Sequence, residues 1–273
     1  MAQAPSRCLS NPPRATRRRE HGLTRRVTIS VTTFDRPAHL ERCLASIQEL
    51  HGNVKTIVAD NGRLPAPRSR SEVSYLDLPF DVGLAASRNA IVDALATEYL
   101  LVMEDDMACT RQTTIERLVE ILDERPEIGC VAGALDEGDP KRESHPLLDF
   151  SISDGQLRLS RSRDTSQYRL ACGASYRLGH MVPNFFLARR EFLADHRWDA
   201  AYKLWEHVPY FWEVHRAGGW LVAQCDAVRV FHDLSGRTRE YDAMRWRSRQ
   251  YRKLFLERTG FRGLTVDRSP IAT

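Results

Sequence analysis

The chain has 273 residues, of which 42% are apolar and 28% charged, and its mean hydropathy is -0.44. A chain of this length buries a core without disulfides or a structural metal, and its apolar runs are too short to cross a bilayer, so we expect neither disorder throughout nor a transmembrane segment. The net charge of +4 is the sum of two basic ends, at residues 1–26 and 229–263, and an acidic middle.

Residues 1–26 contain seven arginines and three prolines but no apolar core of a signal peptide. We expect a disordered basic leader that is not a secretory signal. The basic ends are either solvated or contact phosphates or an anionic membrane surface. The six cysteines contain no CxxC pair, which argues against a zinc site and a disulfide framework and favours the cytoplasm.

A regular pattern starts at Val27, where apolar residues alternate as in a strand, and Arg36-Pro37 predicts the start of a helix. Further strands are predicted over 54–59, 73–78, 99–103 and 130–135, and helices over 83–96 and 111–124. Strands that alternate with helices predict an α/β fold with a mostly parallel sheet flanked by helices. No GxGxxG or Walker A sequence is present, which disfavours the common dinucleotide-binding and P-loop folds.

The second half of the chain is less regular. The stretch 136–168 is polar and irregular, although Asp154-Gly155 predicts a hairpin over 150–160. Beyond it the pattern predicts an apolar segment at 180–188, a helix at 204–217, a strand at 220–231 and a terminal helix at 239–259 that ends at Gly260.

Glu104, Asp105 and Asp106 are the sharpest chemical feature, because three carboxylates at the end of a buried strand repel one another. A unit-charge pair at about 4 Å and an effective dielectric near 20 is worth roughly 4 kcal/mol, so a bound Mg²⁺ or Mn²⁺ is expected to offset this repulsion. The alternative is a solvated strand end whose aspartate caps the next helix.

Thr32-Thr33 and Asp60 also follow predicted strands. Open α/β sheets bind ligands at the carboxyl ends of their strands, so these residues and the acidic cluster are expected to line one crevice. Mg²⁺ takes one or two protein carboxylates and leaves its other positions to water and phosphate oxygens. A diphosphate ligand is therefore predicted.

Four segments carry a family resemblance: VTISVTTFDRPAHLERCLASI at 27–47, VADNG at 58–62, DVGLAASRN at 81–89 and LLVMEDD at 100–106. In this order they resemble the GT-A domain of family 2 glycosyltransferases. Three later segments narrow the resemblance to the β-1,4-N-acetylgalactosaminyltransferase branch related to GM2/GD2 ganglioside synthase: NFFLAR at 184–189, EHVPYF at 206–211 and FHD at 231–233.

The resemblance implies one Rossmann-like GT-A domain over 27–263, with a tail at 264–273. Within it, 27–135 binds the nucleotide sugar, 136–235 is the acceptor and catalytic half, and 236–263 is a C-terminal helix. It further implies inverting, metal-dependent transfer with Mn²⁺ or Mg²⁺, from a donor such as UDP-GalNAc, UDP-GlcNAc or UDP-Gal. The expected acceptor is a glycan, a lipid-linked or a small-molecule hydroxyl. Peripheral membrane contact stays open, and no nucleic-acid partner is expected because no reading motif is present.

The resemblance also implies roles for single residues. Thr32, Arg36 and Asp60 would hold the nucleoside, with Asp105 sharing the ribose contact. Arg88 would lie near the donor. Asn184 either reaches a hydroxyl of the donor sugar or is a buried amide with satisfied hydrogen bonds. Glu104 and Asp106 match the acidic DxD pair, and Asp106 and His232 are the expected metal ligands. Independently of the resemblance, the basic segment that begins just after His232 contains three candidates for neutralising phosphate: Arg237, Arg239 and Arg245.

Inverting transfer needs a base that takes the proton of the acceptor hydroxyl. Many family 2 enzymes carry a Glu-Asp pair at the start of a late helix, and here that pair is Glu206-His207. We favour Glu206 as the base and keep His207 second, while either residue could instead cap or pack. The neighbouring aromatic residues either stack on a sugar ring or pack in the core: Trp205, Tyr210, Phe211 and Trp212.

Two other function classes stay open. Nucleotidyltransferases also use clustered carboxylates and a metal, but they normally open with a glycine-rich loop, and residues 32–37 contain no glycine. A degenerate glycosyltransferase that only binds nucleotide or glycan is suggested by the departure from the Glu-Asp pair.

Overall fold

The computed structural model describes residues 22–68, 70–138, 146–162, 167–170, 173–235 and 246–267. The helices in these ranges are α1 (Leu23–Arg26), α2 (Pro37–His51), α3 (Leu84–Asp93), α4 (Ile115–Glu124), α5 (Arg190–Asp195), α6 (His207–Ala217) and α7 (Ser248–Thr259). The strands are β1 (Val27–Thr33), β2 (Lys55–Asp60), β3 (Val73–Asp77), β4 (Tyr99–Glu104), β5 (Met107–Cys109), β6 (Ile128–Asp136), β7 (Leu148–Ser153), β8 (Gln156–Arg161), β9 (Tyr168–Arg169), β10 (Ser175–Gly179), β11 (Phe186–Arg189), β12 (Leu221–His232) and β13 (Gly263–Asp267).

In the described ranges, ten strands form one mixed sheet in the order β3-β2-β1-β4-β11-β6-β12-β10-β9, with β5 paired to β12. β1 is parallel to β2 and β4, and β6 is parallel to β12. β11 runs antiparallel between β4 and β6. The predicted α/β fold is therefore confirmed, with parallel pairing from β3 to β4 and between β6 and β12. The antiparallel pairings of β5, β9, β10 and β11 were not revealed by the sequence pattern.

The sheet is buried on both faces, which is why its strands read as continuous apolar runs. Along β4, Leu100 and Val102 join the apolar cluster that includes α3, α6 and α7. Leu101 and Met103 point the other way into the cluster that includes α2 and α4. The helices thus cover both faces, and the carboxyl ends of the strands stay open for a site.

A second, three-stranded sheet has the order β13-β8-β7. Its β7–β8 pair is the predicted hairpin, with the turn residues Asp154 and Gly155 at φ 52° and 72°. β13 runs parallel to β8, so the predicted tail at 264–273 is wrong for residues 264–267. The partner of this short strand lies far earlier in the chain, with Gly263 paired to Gln156.

The predicted boundary of the leader at residue 26 also needs correction. Arg26 is buried, and its guanidinium donates to the Asp123 carboxylate at 2.6 and 2.8 Å and to Glu98 at 2.9 Å. A third contact joins it to the Tyr99 hydroxyl at 3.2 Å. These partners raise the pKa of Arg26 further above its ordinary value. Arg26 therefore belongs to the folded domain, whereas residues 1–21 lie outside the described ranges.

The Arg26 contacts predict a large effect on stability. Arg26→Ala is expected to lower the free energy of unfolding by about 3 kcal/mol, because it leaves two carboxylates without their shared cation. The exposed neighbour Arg25 is the matched control, and Arg25→Ala is expected to change stability by about 0.5 kcal/mol or less. Urea unfolding of both variants checks this, and equal midpoints would contradict it.

None of the helices in the described part of the chain is long and apolar enough to cross a membrane. Of the predicted terminal helix over 239–259, residues 239–245 lie outside the described ranges.

Candidate functional site

The carboxyl ends of β1, β2 and β4 lie side by side, because Thr32 of β1 pairs in register with Ala59 of β2 and Glu104 of β4. Beyond these ends opens a cleft of about 260 Å³, called here the main cleft. Its lining residues come from both halves of the chain: Thr32, Thr33, Phe34, Arg36, Asn61, Asp81, Gly83, Leu84, Glu104, Asn184, Leu204, Trp205, Glu206, His207 and Ser248. Of the residues predicted to line one crevice, Thr32, Thr33 and Glu104 line the main cleft, whereas Asp60, Asp105 and Asp106 are not among its lining residues.

A second cavity of about 420 Å³, called here the side pocket, shares Thr33 and Arg36 with the main cleft. Its remaining wall is formed by Asp35, Pro37, Asp60 and the segment 63–67. The Asp60 carboxylate accepts hydrogen bonds from the backbone N–H of Gly62 at 2.8 Å and of Ala66 at 2.7 Å. Asp60 therefore holds the loop that shapes the side pocket, and its contact with a nucleoside stays a prediction.

Arg36 is held by two of the three acidic residues. Its guanidinium hydrogen-bonds both carboxylate oxygens of Asp105 and donates to Asp106 Oδ2 at 3.0 Å. The Asp105 side chain has no exposed surface and also accepts from the Thr33 hydroxyl at 2.7 Å. Burial raises the pKa of Asp105 to about 7, although the Arg36 charge opposes this shift. Asp105 is not among the lining residues of the main cleft, and its ribose contact stays a prediction.

Asp106 points towards the end of β12. It lies in the tight turn between β4 and β5, and β5 pairs with β12 so that Met107 lies opposite His232. This register brings His232 Nε2 to 3.7 Å from Asp106 Oδ1. Burial alone raises the pKa of Asp106, but His232 and Arg36 outweigh it and lower the pKa to about 2. A carboxylate that stays ionised suits a cation.

The residues present fit a divalent metal with two protein ligands. Asp106 Oδ1 is buried, makes no hydrogen bond and faces the His232 Nε2 atom at 3.7 Å. No group of three or more acidic, histidine or cysteine side chains that could hold a metal occurs in the described ranges. A site with one carboxylate and one imidazole leaves further coordination positions to phosphate oxygens and water, as Mg²⁺ and Mn²⁺ sites in nucleotide enzymes do.

Glu104 has a different role from Asp106. Its Oε1 atom accepts from Arg88 at 2.7 Å and from the amide of Asn184 at 3.0 Å. Burial raises the pKa of Glu104, although the Arg88 charge opposes the shift. Of the predicted Glu104/Asp106 pair, Asp106 faces His232, while Glu104 lines the main cleft and orients Asn184.

Arg88 connects the two halves of the site. Its side chain is only 2% exposed and pairs with both Glu104 and Glu206. A guanidinium buried in this way orients the two carboxylates, and the placement of Arg88 near the donor stays a prediction. It also lies over the Trp198 ring, 5.6 Å from the centroid.

Glu206 and His207 both line the main cleft at the start of α6. Glu206 is buried and paired with Arg88. The His207 Nε2 atom lies 2.5 Å from the carbonyl oxygen of Val182, to which it must donate, so Nδ1 bears the lone pair of the neutral ring. Both predicted candidates for the base are thus brought to the cleft, each oriented by one neighbour.

A close backbone approach fixes the segment that precedes Glu206. Gly83 has φ 91°, and a Cβ atom there would lie 2.4 Å from Cα of Lys203. The Leu84 N–H donates to the Lys203 carbonyl at 2.8 Å, and Lys203 Nζ donates to the Asp81 carbonyl at 2.5 Å. Only glycine allows this approach, which holds residues 203–206 against the start of α3.

The four aromatic residues of this region divide into two groups. Tyr210, Phe211 and Trp212 are buried in the core. Trp205 is half-buried, lines the main cleft and has φ 64°, which is unusual for a bulky side chain. Its ring packs edge-on against Phe255 of α7, with centroids 5.6 Å apart. Of these four aromatic residues, Trp205 is therefore the one whose side chain can contact a ligand in the main cleft.

Three predicted candidates lie outside the described residues, and one neighbour of the site was not predicted from the sequence. Arg237, Arg239 and Arg245 lie outside the described residues. Glu137, which contacts His232 at 3.1 Å, was not singled out from the sequence. The signal available for it was weak, because Glu137 stands two residues after the predicted strand 130–135, whereas Asp60 and Glu104 directly follow theirs.

The family model of glycosyl transferase family 2 matches residues 28–197, more than half of the chain. The chain belongs to this family. Its match includes β1, the acidic turn after β4 and Asn184, so most of the main cleft comes from the family domain. The family 2 glycosyltransferase chain continues beyond the match to provide Glu206, His207 and His232.

Curated relatives agree with this assignment. The chain is 29% identical over 216 residues to Beta-1,4 N-acetylgalactosaminyltransferase 1 of Mus musculus, which covers 78% of this chain and 40% of the relative. It is 30% identical over 215 residues to Beta-1,4 N-acetylgalactosaminyltransferase 2 of Mus musculus, covering 79% of this chain and 41% of that protein. The chain thus spans about two fifths of the length of the relatives that it matches.

Solved structures show the GT-A fold. A crystal structure of GalNAc-T7 with UDP, GalNAc and Mn2+ superposes with a TM-score of 0.56 at 12% identity, covering 76% of this chain and 44% of that one. Residues 1–349 of S. aureus TarS superpose with a TM-score of 0.52 at 11% identity, covering 76% of this chain and 60% of that one.

Proposed function

We propose that this family 2 glycosyltransferase is metal-dependent and inverting, and that it moves a sugar from a UDP-linked donor to an acceptor hydroxyl. The observation that carries the proposal is the buried Asp106 Oδ1 atom, which has no hydrogen-bond partner and faces His232 at 3.7 Å. UDP-GalNAc, UDP-GlcNAc and UDP-Gal are the donors proposed, with Mn²⁺ or Mg²⁺ as the metal. The similarity to N-acetylgalactosaminyltransferases supports UDP-GalNAc as the first donor to test.

The two cavities suit the two parts of such a donor. The side pocket, walled by Asp60 and residues 63–67, would take the nucleoside, and the main cleft would take the sugar. Arg36 lines both cavities, so its guanidinium would meet the diphosphate between them. A bound divalent cation supplies positive charge that stabilises the diphosphate as a leaving group.

The other side chains of the main cleft would orient the reactants. Asn184 is fixed by Glu104 through its amide nitrogen, and its Oδ1 atom is buried without a hydrogen-bond partner. An acceptor atom of this kind suits a hydroxyl or an amide N–H of the donor sugar. Glu206 is the proposed base, because Arg88 holds its carboxylate on the wall of the same cleft.

Trp205 is proposed to stack on a sugar ring of the acceptor. Trp205→Ala is expected to raise the KM for the acceptor about tenfold, since loss of stacking costs roughly 1.4 kcal/mol. Trp205→Phe is expected to retain most of the affinity. Trp246, 63% exposed and outside the cleft lining, is the control. Initial rates over a range of acceptor concentrations check this, and an unchanged KM in Trp205→Ala would contradict it.

The proposed function is tested by incubating the wild-type protein with each UDP-sugar, Mn²⁺ and a panel of glycan and lipid-linked acceptors, and by measuring UDP release and the product. We expect release with one of the donors and its loss on addition of EDTA. Product with an α-linked sugar would contradict the inverting stereochemistry. UDP binding without release from any donor would instead favour the degenerate binding module.

A further inference from the structure

Glu137 lies where the sheet topology places a partner for His232. β6 and β12 are parallel, and Asp136 lies in register with Phe231. The residues that follow, Glu137 and His232, are therefore neighbours at the same edge of the sheet. Glu137 Oε1 lies 3.1 Å from His232 Nδ1. The two side chains are 8% and 12% exposed, so water competes little with this contact.

The imidazole of His232 lies between two carboxylates that contact different nitrogens. Glu137 contacts Nδ1, whereas Asp106 faces Nε2 at 3.7 Å, which is too long for a hydrogen bond. A carboxylate accepts a hydrogen bond, so Nδ1 must carry a proton in its contact with Glu137. In the neutral ring the lone pair is then on Nε2, which faces the buried oxygen of Asp106.

We propose that Glu137 is a positioning residue of the metal site: it fixes His232 in the Nδ1–H tautomer and directs Nε2 towards Asp106. The proposal rests on the metal dependence put forward above. A carboxylate that accepts the second N–H of a metal-binding histidine fixes the ring and increases its basicity, and loss of such a partner costs typically 10–100-fold in metal affinity. Glu137 would thus act on the metal through His232 without touching it.

The neighbouring Asp136 provides a matched control. It is also a carboxylate at the end of β6, but its Oδ1 atom accepts from the backbone N–H of Gly138 at 2.9 Å. Asp136→Asn removes one negative charge from the same edge of the sheet and leaves the Glu137–His232 contact in place. A general electrostatic effect would therefore weaken metal binding equally in Asp136→Asn and Glu137→Gln.

The first test measures Mn²⁺ binding to the full chain in the presence of UDP by electron paramagnetic resonance, together with thermal unfolding. We expect Glu137→Ala to weaken Mn²⁺ binding 10–100-fold. We expect a smaller loss in Glu137→Gln, whose amide oxygen still accepts from Nδ1–H, and about the wild-type affinity in Asp136→Asn. Unchanged affinity in Glu137→Ala, or equal losses in Glu137→Gln and Asp136→Asn, overturns the inference.

The second test uses the wild-type protein and therefore still checks the inference if Glu137→Ala does not fold. Nitrogen-15 NMR of the wild-type protein, at a pH where the ring is neutral, reports the tautomer of His232. Protonation at Nδ1 supports the inference, and protonation at Nε2 overturns it. Absence of Mn²⁺ binding in the wild type overturns both the metal dependence and this role of Glu137. A failure of Glu137 alone leaves Mn²⁺ binding by the wild type intact and appears in the variants or in the tautomer of His232.

Discussion

Replacing Asp106 with asparagine is expected to lower the rate of transfer by about 10³-fold, because the metal loses its charged ligand and the leaving diphosphate loses the metal. Asp106 is suited to this role, since its pKa is lowered to about 2 and its Oδ1 atom is buried without a hydrogen bond. The same change leaves Arg36 paired with Asp105. Nucleotide affinity measured without metal is therefore expected to change little.

Asp233 is the control for Asp106→Asn. It also lies next to His232, but its carboxylate pairs with Arg42 at 2.7 Å and accepts from the Ser235 N–H at 2.8 Å. Asp233→Asn is expected to retain metal-dependent activity. UDP release and Mn²⁺ titrations compare the two variants, and undiminished metal-dependent release by Asp106→Asn would rule out the proposed metal ligand.

Glu206→Gln is expected to lower kcat by about 10²–10⁴-fold while the KM for the donor stays within about twofold, because a base acts in the transition state and adds little to donor binding. The change removes the acceptor of the proton but keeps the size of the side chain. It also leaves Arg88 with Glu104 as its charged partner, so thermal unfolding must be measured beside the rates.

Two further variants separate the alternatives for the base. Glu213→Gln changes an exposed residue of the same helix, which pairs with Arg216, and is expected to have wild-type kinetics. His207→Asn keeps a polar side chain but removes the ring nitrogen Nδ1. If His207→Asn loses kcat and Glu206→Gln does not, the base is His207, and the role of Glu206 reduces to pairing with Arg88.

The strand ends of the site were predictable because their signals are local. An apolar run that stops at a polar residue marks both the strand and its end, as at Thr32, Asp60 and Glu104. Since carboxyl ends of parallel strands meet at one edge of the sheet, the crevice followed from the pattern. The family resemblance then added the late residues that no periodicity could connect with this edge.

The separate roles of the three acidic residues were not predictable. Glu104, Asp105 and Asp106 are adjacent in sequence, yet they contact Asn184, Thr33 and His232, respectively. The turn between β4 and β5 decides these directions. Its geometry depends on the pairing of β5 with β12, whose sequence lies more than 100 residues later.

The contact partners of Arg26 and Glu137 were also not predictable from the sequence. Arg26 follows an arginine-rich stretch and looks like part of it, but the fold places it against Glu98 and Asp123. Glu137 follows a strand like several other acidic residues, and only the register of β6 and β12 makes it the neighbour of His232. The spacing of charged residues along the sequence does not show which of them form ion pairs in the fold.

The sequence by itself determined the α/β class, the order of most helices and strands, the edge of the sheet that carries the site and the family. Those properties follow from hydrophobic periodicity and from short motifs, which are encoded locally. Only the tertiary structure decided which charges meet. Arg88 and Glu206 are separated by 118 residues, and His232 and Glu137 by 95. Contacts over such separations depend on strand register and helix packing across the whole domain, and these fix which carboxylate is paired, which is fully buried and which faces the proposed metal.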